Sequence, residues 1–145
     1  MEGKHVSRIT VRREIAASAE ELFDAWLDAE SLAQWMHPPD CTHTVAKVNA
    51  TVGGAFEIIM HPSVSPVLHS GVYKIIDRPR RLSFTWISVH THHTETLVTV
   101  DFRAGKPGTT EVVITQEGLP NNEAEQNHMR GWTGILQALS ETRLS

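Results

Sequence analysis

The stretch His128-Met129-Arg130-Gly131-Trp132-Thr133-Gly134-Ile135-Leu136-Gln137-Ala138-Leu139 decides the fold. Extended back to Ala124, its large or apolar side chains recur at Ala124, His128, Trp132, Ile135, Leu136 and Leu139, the spacing of one helix face. Asn122-Glu123-Ala124-Glu125, just after Pro120, mimics a capping box and sets the start. A helix of about twenty residues, roughly 30 Å long, follows. A helix with one apolar face, arriving after a run of strands, must cover a sheet.

Upstream, from about Cys41 to Glu117, the chain reads as strands and turns. The punctuation is Gly53-Gly54, the loop His61 to Pro66, Asp77-Arg78-Pro79-Arg80, Thr91-His92-His93, and Ala104-Gly105-Lys106-Pro107-Gly108. Alternation puts Phe56, Ile58 and Met60 on one face, then Gly71, Tyr73 and Ile75, then Leu82, Phe84, Trp86, Ser88 and His90. Val98, Val100 and Phe102, and then Val112, Ile114 and Gln116, fall together in the same way. Glu57, Glu95, Glu111 and Glu117 take the opposite, solvated faces.

Further upstream, Val6 to Ile15 alternates as a first strand. Ser18-Ala19-Glu20-Glu21 has the form of a capping box, with Leu22, Phe23 and Trp26 at helical spacing behind it. Leu32 and Trp35 belong to a second short helix, stopped by Pro38-Pro39. The order is therefore strand, two short helices, six strands and one long helix. This is the α+β class: a curved seven-stranded antiparallel sheet wrapped around a long C-terminal helix, in one domain over residues 1–145.

Composition bounds the function. Thirteen basic against seventeen acidic residues give a net charge of −4 with no basic block, so nucleic acid is not an expected partner. No apolar run approaches the roughly eighteen residues of a membrane span. Cys41 is the single cysteine, and Met1 to His5 lacks the apolar stretch of a signal peptide, which points to a reducing, cytoplasmic setting. The edge strands of an open sheet invite pairing with a second copy as a homodimer.

Several stretches resemble the START-like, helix-grip superfamily of polyketide cyclases and lipid carriers. They are Arg13 to Trp26, Leu32 to Pro38, Gly53-Gly54, Gly71 to Ile76, Arg81 to Trp86, and His128 to Leu139. Within it the likeness is to the family related to the C-terminal domain of the heat-shock chaperone ATPase activator. The resemblance implies seven strands around the last helix with a cavity between them. It also raises contact with a chaperone, which the residues themselves do not signal. Relatives often carry a tryptophan and a glycine where this chain has Met36 and His37, and a histidine where it has Gln116. Those positions lie near the implied cavity.

The candidate ligand-binding residues are the inner-face side chains. Trp35, Phe56, Ile58, Met60, Tyr73, Trp86, Val98, Val100 and Trp132 form apolar walls, with Trp132 facing Trp86 and Tyr73 across a pocket. Ser88, His90, Gln116 and His128 are the sparse polar groups. This mixture suits a small apolar or aromatic molecule. The same alternation describes a filled core equally well. Gly131 and Gly134 each cost up to about 1 kcal/mol against alanine in a helix, so each needs a reason, either a cavity or close packing.

No catalytic set emerges, and no cofactor or metal is expected. His90 and His92 would share a strand face, but no metal-binding spacing supports them, and a solvated hairpin tip is the expectation. Cys41 and His43, two apart, would face one way without an orienting acid or oxyanion hole, so an inert thiol is expected. His37, His61 and His69 read as surface or loop residues. His128, pointing at the sheet, is the best lone candidate acid or base for a cyclase- or hydrolase-like alternative, in which His128, His90 or Gln116 would orient a polar substrate.

Overall fold

The computed structural model describes residues 7–62, 65–142 and 144. Val6 of the first expected strand, and Ser63 and Val64 of the expected loop, lie outside the described residues. The elements run β1 (Arg8–Ile15), α1 (Ala19–Ala25), α2 (Ala29–Trp35), β2 (Cys41–Val48), β3 (Ala55–Pro62), β4 (Val67–Asp77), β5 (Arg81–Trp86), a 3-10 turn (Val89–Thr91), β6 (Thr96–Ala104), β7 (Thr110–Glu117) and α3 (Asn122–Glu141). All seven strands join one antiparallel sheet in the order β1-β7-β6-β5-β4-β3-β2. A meander of six strands is thus completed by β1, which returns beside β7. The sheet curls around α3 in the helix-grip arrangement that the resemblance implied.

Local chemistry explains the connection between β1 and β2. The Ser18 hydroxyl accepts from the Glu21 amide while the Glu21 carboxylate accepts from the Ser18 amide, the reciprocal capping box that starts α1. Trp35 closes α2, and its indole donates to Ser31 Oγ at 3.0 Å. The chain then leaves through Pro38-Pro39, where a helix cannot continue.

The long helix spans 20 residues, and its six buried residues are the six whose spacing defined it: Ala124, His128, Trp132, Ile135, Leu136 and Leu139. Its cap lies one residue earlier than the pattern suggested. The side chain of Asn121 accepts from the Ala124 amide at 2.9 Å, so Asn122 is already helical.

Two strand faces differ from strict alternation. Between Tyr73 and Ile75 the register of β4 slips against β5, because Tyr73 pairs with Phe84 and Ile75 with the adjacent Ser83. The extra residue is a bulge. It turns Ile75 outward, 41% exposed, and brings Ile76 against the core instead. The fifth strand stops at Trp86 rather than continuing to His90. Ser88 instead caps the 3-10 turn, its hydroxyl accepting from the His90 amide at 3.0 Å. His92 and His93 have φ of 55° and 58°, left-handed backbone that no strand adopts, so His90 and His92 share no strand face. No group of three or more metal-ligating side chains forms among the described residues.

Candidate functional site: a cavity between sheet and helix

The inner face of the sheet meets α3 in two different ways. Toward α1 and α2 the space is filled by rings. Trp26 and Trp35 stack edge-on with centroids 4.9 Å apart, and Phe56 and Phe84 meet at 5.4 Å and 87°. The void left among Trp26, Leu32, Met36, Phe56, Ile58, Tyr73, Phe84 and Trp86 is about 10 Å³. That is at or below the roughly 10–15 Å³ needed for one water, so this region is core.

At the other end an open cavity of about 530 Å³ separates α3 from the sheet. Its floor is Met60, Pro62, Val67, His69 and Trp86; Pro38 to Cys41 and His90 flank it, and α3 contributes Asn127, His128, Arg130, Gly131, Trp132 and Ile135. The volume lies within the ~300–1,000 Å³ of small-molecule pockets.

The two helix glycines mark where the contact ends and the space begins. A Cβ on Gly134 would lie 2.6 Å from Pro39 Cδ, so here the helix presses directly on the Pro38-Pro39 brace. A Cβ on Gly131 would meet nothing within 4 Å. One turn of α3 is therefore in contact, and the turn before it looks onto the cavity. Close packing and open space each account for one glycine.

The candidate residues divide along the same line. Met60, Trp86, His90, His128 and Trp132 line the cavity. Phe56, Ile58 and Tyr73 instead enclose the small void in the packed half. Trp35, Val98 and Val100 are fully buried in the core, away from both spaces. Trp86 and Trp132 do not face each other across the cavity; their centroids are 5.1 Å apart, and Trp86 borders both spaces, so the pair forms a partition with Tyr73 behind it.

Two polar candidates serve the fold. Ser88 is buried and committed to the 3-10 turn. Gln116, fully buried on β7, accepts from Trp132 Nε1 at 2.8 Å and donates to Thr96 Oγ1 at 3.0 Å. It lines no cavity but holds the tryptophan that does. Met36 likewise turns away from the cavity, its carbonyl accepting from Thr44 Oγ1 at 2.9 Å.

His69 overturns the surface reading. It sits on β4, 5% exposed, with its ring 4.9 Å from Trp86 and Nδ1 3.3 Å from the Ile58 carbonyl. Burial pushes its pKa down to about 4 from an ordinary 6.5, against the opposing pull of that carbonyl, with His90 and His128 adding like-charge repulsion. The signal was present, because His69, Gly71 and Tyr73 are spaced two apart on one strand face. The lining residues Pro38, Pro39, Asn127 and Arg130 were not anticipated from periodicity; the two prolines carried only a helix-stop signal.

His128 Nδ1 lies 2.8 Å from the Ala124 carbonyl oxygen. Burial lowers its pKa, opposed by that carbonyl and reinforced by His90. Both inner imidazoles are therefore neutral at pH 7. Cys41 and His43 are separated by a register shift in β2: Cys41 borders the cavity, while His43 stacks on His61 at 4.0 Å on the outer edge of the sheet. Burial, then Asp40, push the Cys41 thiol up, which opposes thiolate formation. Trp86 Nε1 is buried without a partner. Together these groups present apolar rings and methyls, with neutral imidazoles inside and Arg130 and Asn127 at the exposed rim.

A sheet gripping one long helix, with a hollow between them lined mainly by apolar groups, defines the START-like class, a fold that supports a ligand-binding or Hsp90-activator-like domain. Residues 16–143 match the model for "Activator of Hsp90 ATPase homolog 1-like protein", and the chain belongs to that family. Among solved structures, a protein from Chromobacterium violaceum aligns at 25% identity with a TM-score of 0.79, covering 93% of this chain and 96% of its own. An HSP90 activator from Plasmodium falciparum aligns at 23% identity, TM-score 0.72, with 91% and 92% covered. The AHSA1 protein of Silicibacter pomeroyi aligns at 22%, TM-score 0.74, with 93% and 96% covered. No curated protein matches the chain. No helix among the described residues is long and apolar enough to cross a membrane.

Proposed function

We propose that the protein binds a small apolar or aromatic molecule in the cavity between β3, β4, β5 and α3. The observation that carries this reading is the contrast in volume within one fold, about 530 Å³ against about 10 Å³. Trp132, Trp86, Met60 and Ile135 supply apolar contact, and His128 and His69 supply orientation. A ligand that binds only the folded state raises the melting temperature in proportion to ln(1 + [L]/Kd). A panel of two-ring hydrophobic compounds is expected to stabilise the protein, with the effect lost in a Gly131→Trp variant that fills the cavity. Uniformly null shifts would remove the proposal. A reducing, cytoplasmic setting fits the lone, partly buried thiol of Cys41.

The family description favours a second reading, contact with an Hsp90-type chaperone. Stimulation of a chaperone's ATPase by the purified protein, unaffected by Gly131→Trp, would support it over the first. Unchanged ATPase rates at saturating protein would count against it.

A further inference from the structure

The proton inventory of the cavity narrows the ligand class, granted the small-molecule reading above. A carbonyl oxygen can only accept, so His128 Nδ1, 2.8 Å from the Ala124 carbonyl, must carry the hydrogen. The neutral ring then has a lone pair at Nε2. Nε2 bonds to no described residue, and the buried side-chain nitrogens and oxygens without a partner are the Trp26 and Trp86 indoles alone among the described residues. Because His128 lines the cavity, its Nε2 lone pair opens onto it.

We infer that the cavity selects an apolar, ring-bearing ligand with a proton-donating hydroxyl, a phenol or enol, whose O–H is received by His128 Nε2. The Trp86–Trp132 partition, Met60 and Ile135 face the ring body. A carboxylate in the same position would set lone pair against lone pair, and would need to bring a proton of its own.

The charged and titratable groups around His128 are His69 on β4, His90 on the 3-10 turn, Arg130 on α3, Asp40 in the link before β2 and Cys41 at the start of β2, whose thiol burial keeps protonated. Burial holds His69 and His128 below the ordinary histidine range, so neither donates an extra proton at neutral pH. Arg130 is exposed at the rim, where it donates to Asn127 Oδ1. A ligand that used Arg130 rather than His128 would be an anion, and this is the competing outcome.

The test is calorimetric titration of the intact protein with four probes of one shape: biphenyl, para-hydroxybiphenyl, para-methoxybiphenyl and biphenyl para-carboxylate. At neutral pH the hydroxy compound is expected to bind about five- to tenfold more tightly than the parent and methoxy compounds, the fold-change of one net hydrogen bond. The hydroxy-to-methoxy ratio is expected to fall to near one in His128→Phe and to recover partly in His128→Gln, which restores an acceptor. It is also expected to fall in the wild type as acidification protonates His128, the direction in which an acceptor is lost. Equal affinities for the hydroxy and methoxy probes would overturn the inference while leaving the cavity reading standing, as would tightest binding of the carboxylate. Failure of all four to bind would overturn the cavity reading and the inference with it.

Discussion

The two halves of the sheet-to-helix interface use similar side chains to opposite ends. In the half beneath α1 and α2, Trp26, Trp35, Phe56, Tyr73 and Phe84 interlock edge-on and tilted until no room for a water remains. In the half beneath the middle of α3, Trp86, Trp132 and Met60 border open space instead. Hydrophobicity does not separate them. What does is one contact: the ring of Pro39 meets α3 at Gly134, whereas at Gly131 the helix faces open space. A packed half gives the stability that lets the other half remain hollow.

The comparison breaks most visibly in the packed half. Phe84→Ala removes a ring within 6.3 Å of four other aromatic centroids, and is expected to cost about 3–5 kcal/mol by chemical denaturation. Met60→Ala, at the cavity wall, is expected at the low end of such truncations, about 2 kcal/mol, because its site already adjoins empty space. Equal costs would mean that the cavity is closed in solution.

Acid sharpens the contrast next. His69 is neutral when folded, with a pKa near 4 against 6.5 unfolded, so between those values the unfolded state binds more protons. Stability is therefore fully present above about pH 6.5 and declines as pH falls toward 4, by as much as about 3 kcal/mol. A His69→Phe variant should show a flatter pH dependence over that window, and an unchanged slope would contradict the burial assigned to His69.

Gln116→Leu leaves the Trp132 indole N–H buried without its acceptor, an expected loss of about 1–3 kcal/mol, with a shifted Trp132 side-chain NMR signal as the local readout. Gly134→Ala drives a methyl into Pro39 and is expected to destabilise by about 1–2 kcal/mol despite alanine's better helix propensity. The smallest change is the most pointed: Gly131→Ala should stabilise, by up to about 1 kcal/mol, because its methyl enters open space. Opposite signs at two glycines three residues apart are what the brace requires, and matching signs would dispose of it.

These contrasts mark how much could be read from the residues. Periodicity identified every buried position of α3 and the capping box of α1, because burial of one helix face and satisfaction of end amides are local demands. It also put Phe56, Ile58 and Tyr73 beside Trp132, since alternation assigns a face but not a position along the groove. The bulge that turns Ile75 outward depends on pairing with β5, and the αL histidines depend on how the chain leaves Trp86; neither is written in strand alternation. His69 was legible two residues before Gly71. A cavity was implied by the resemblance, but its place along α3 was not, because it is marked by the contact of Pro39 with Gly134, which lie far apart in the chain.

The most direct test of the central claim is anomalous diffraction from crystals soaked with para-bromobiphenyl. A bromine peak is expected inside the cavity bounded by Met60, Trp86, Gly131 and Trp132, with the aromatic cluster around Phe84 unmoved. Absence of a peak there, with Trp132 or Met60 closing the space, would contradict it.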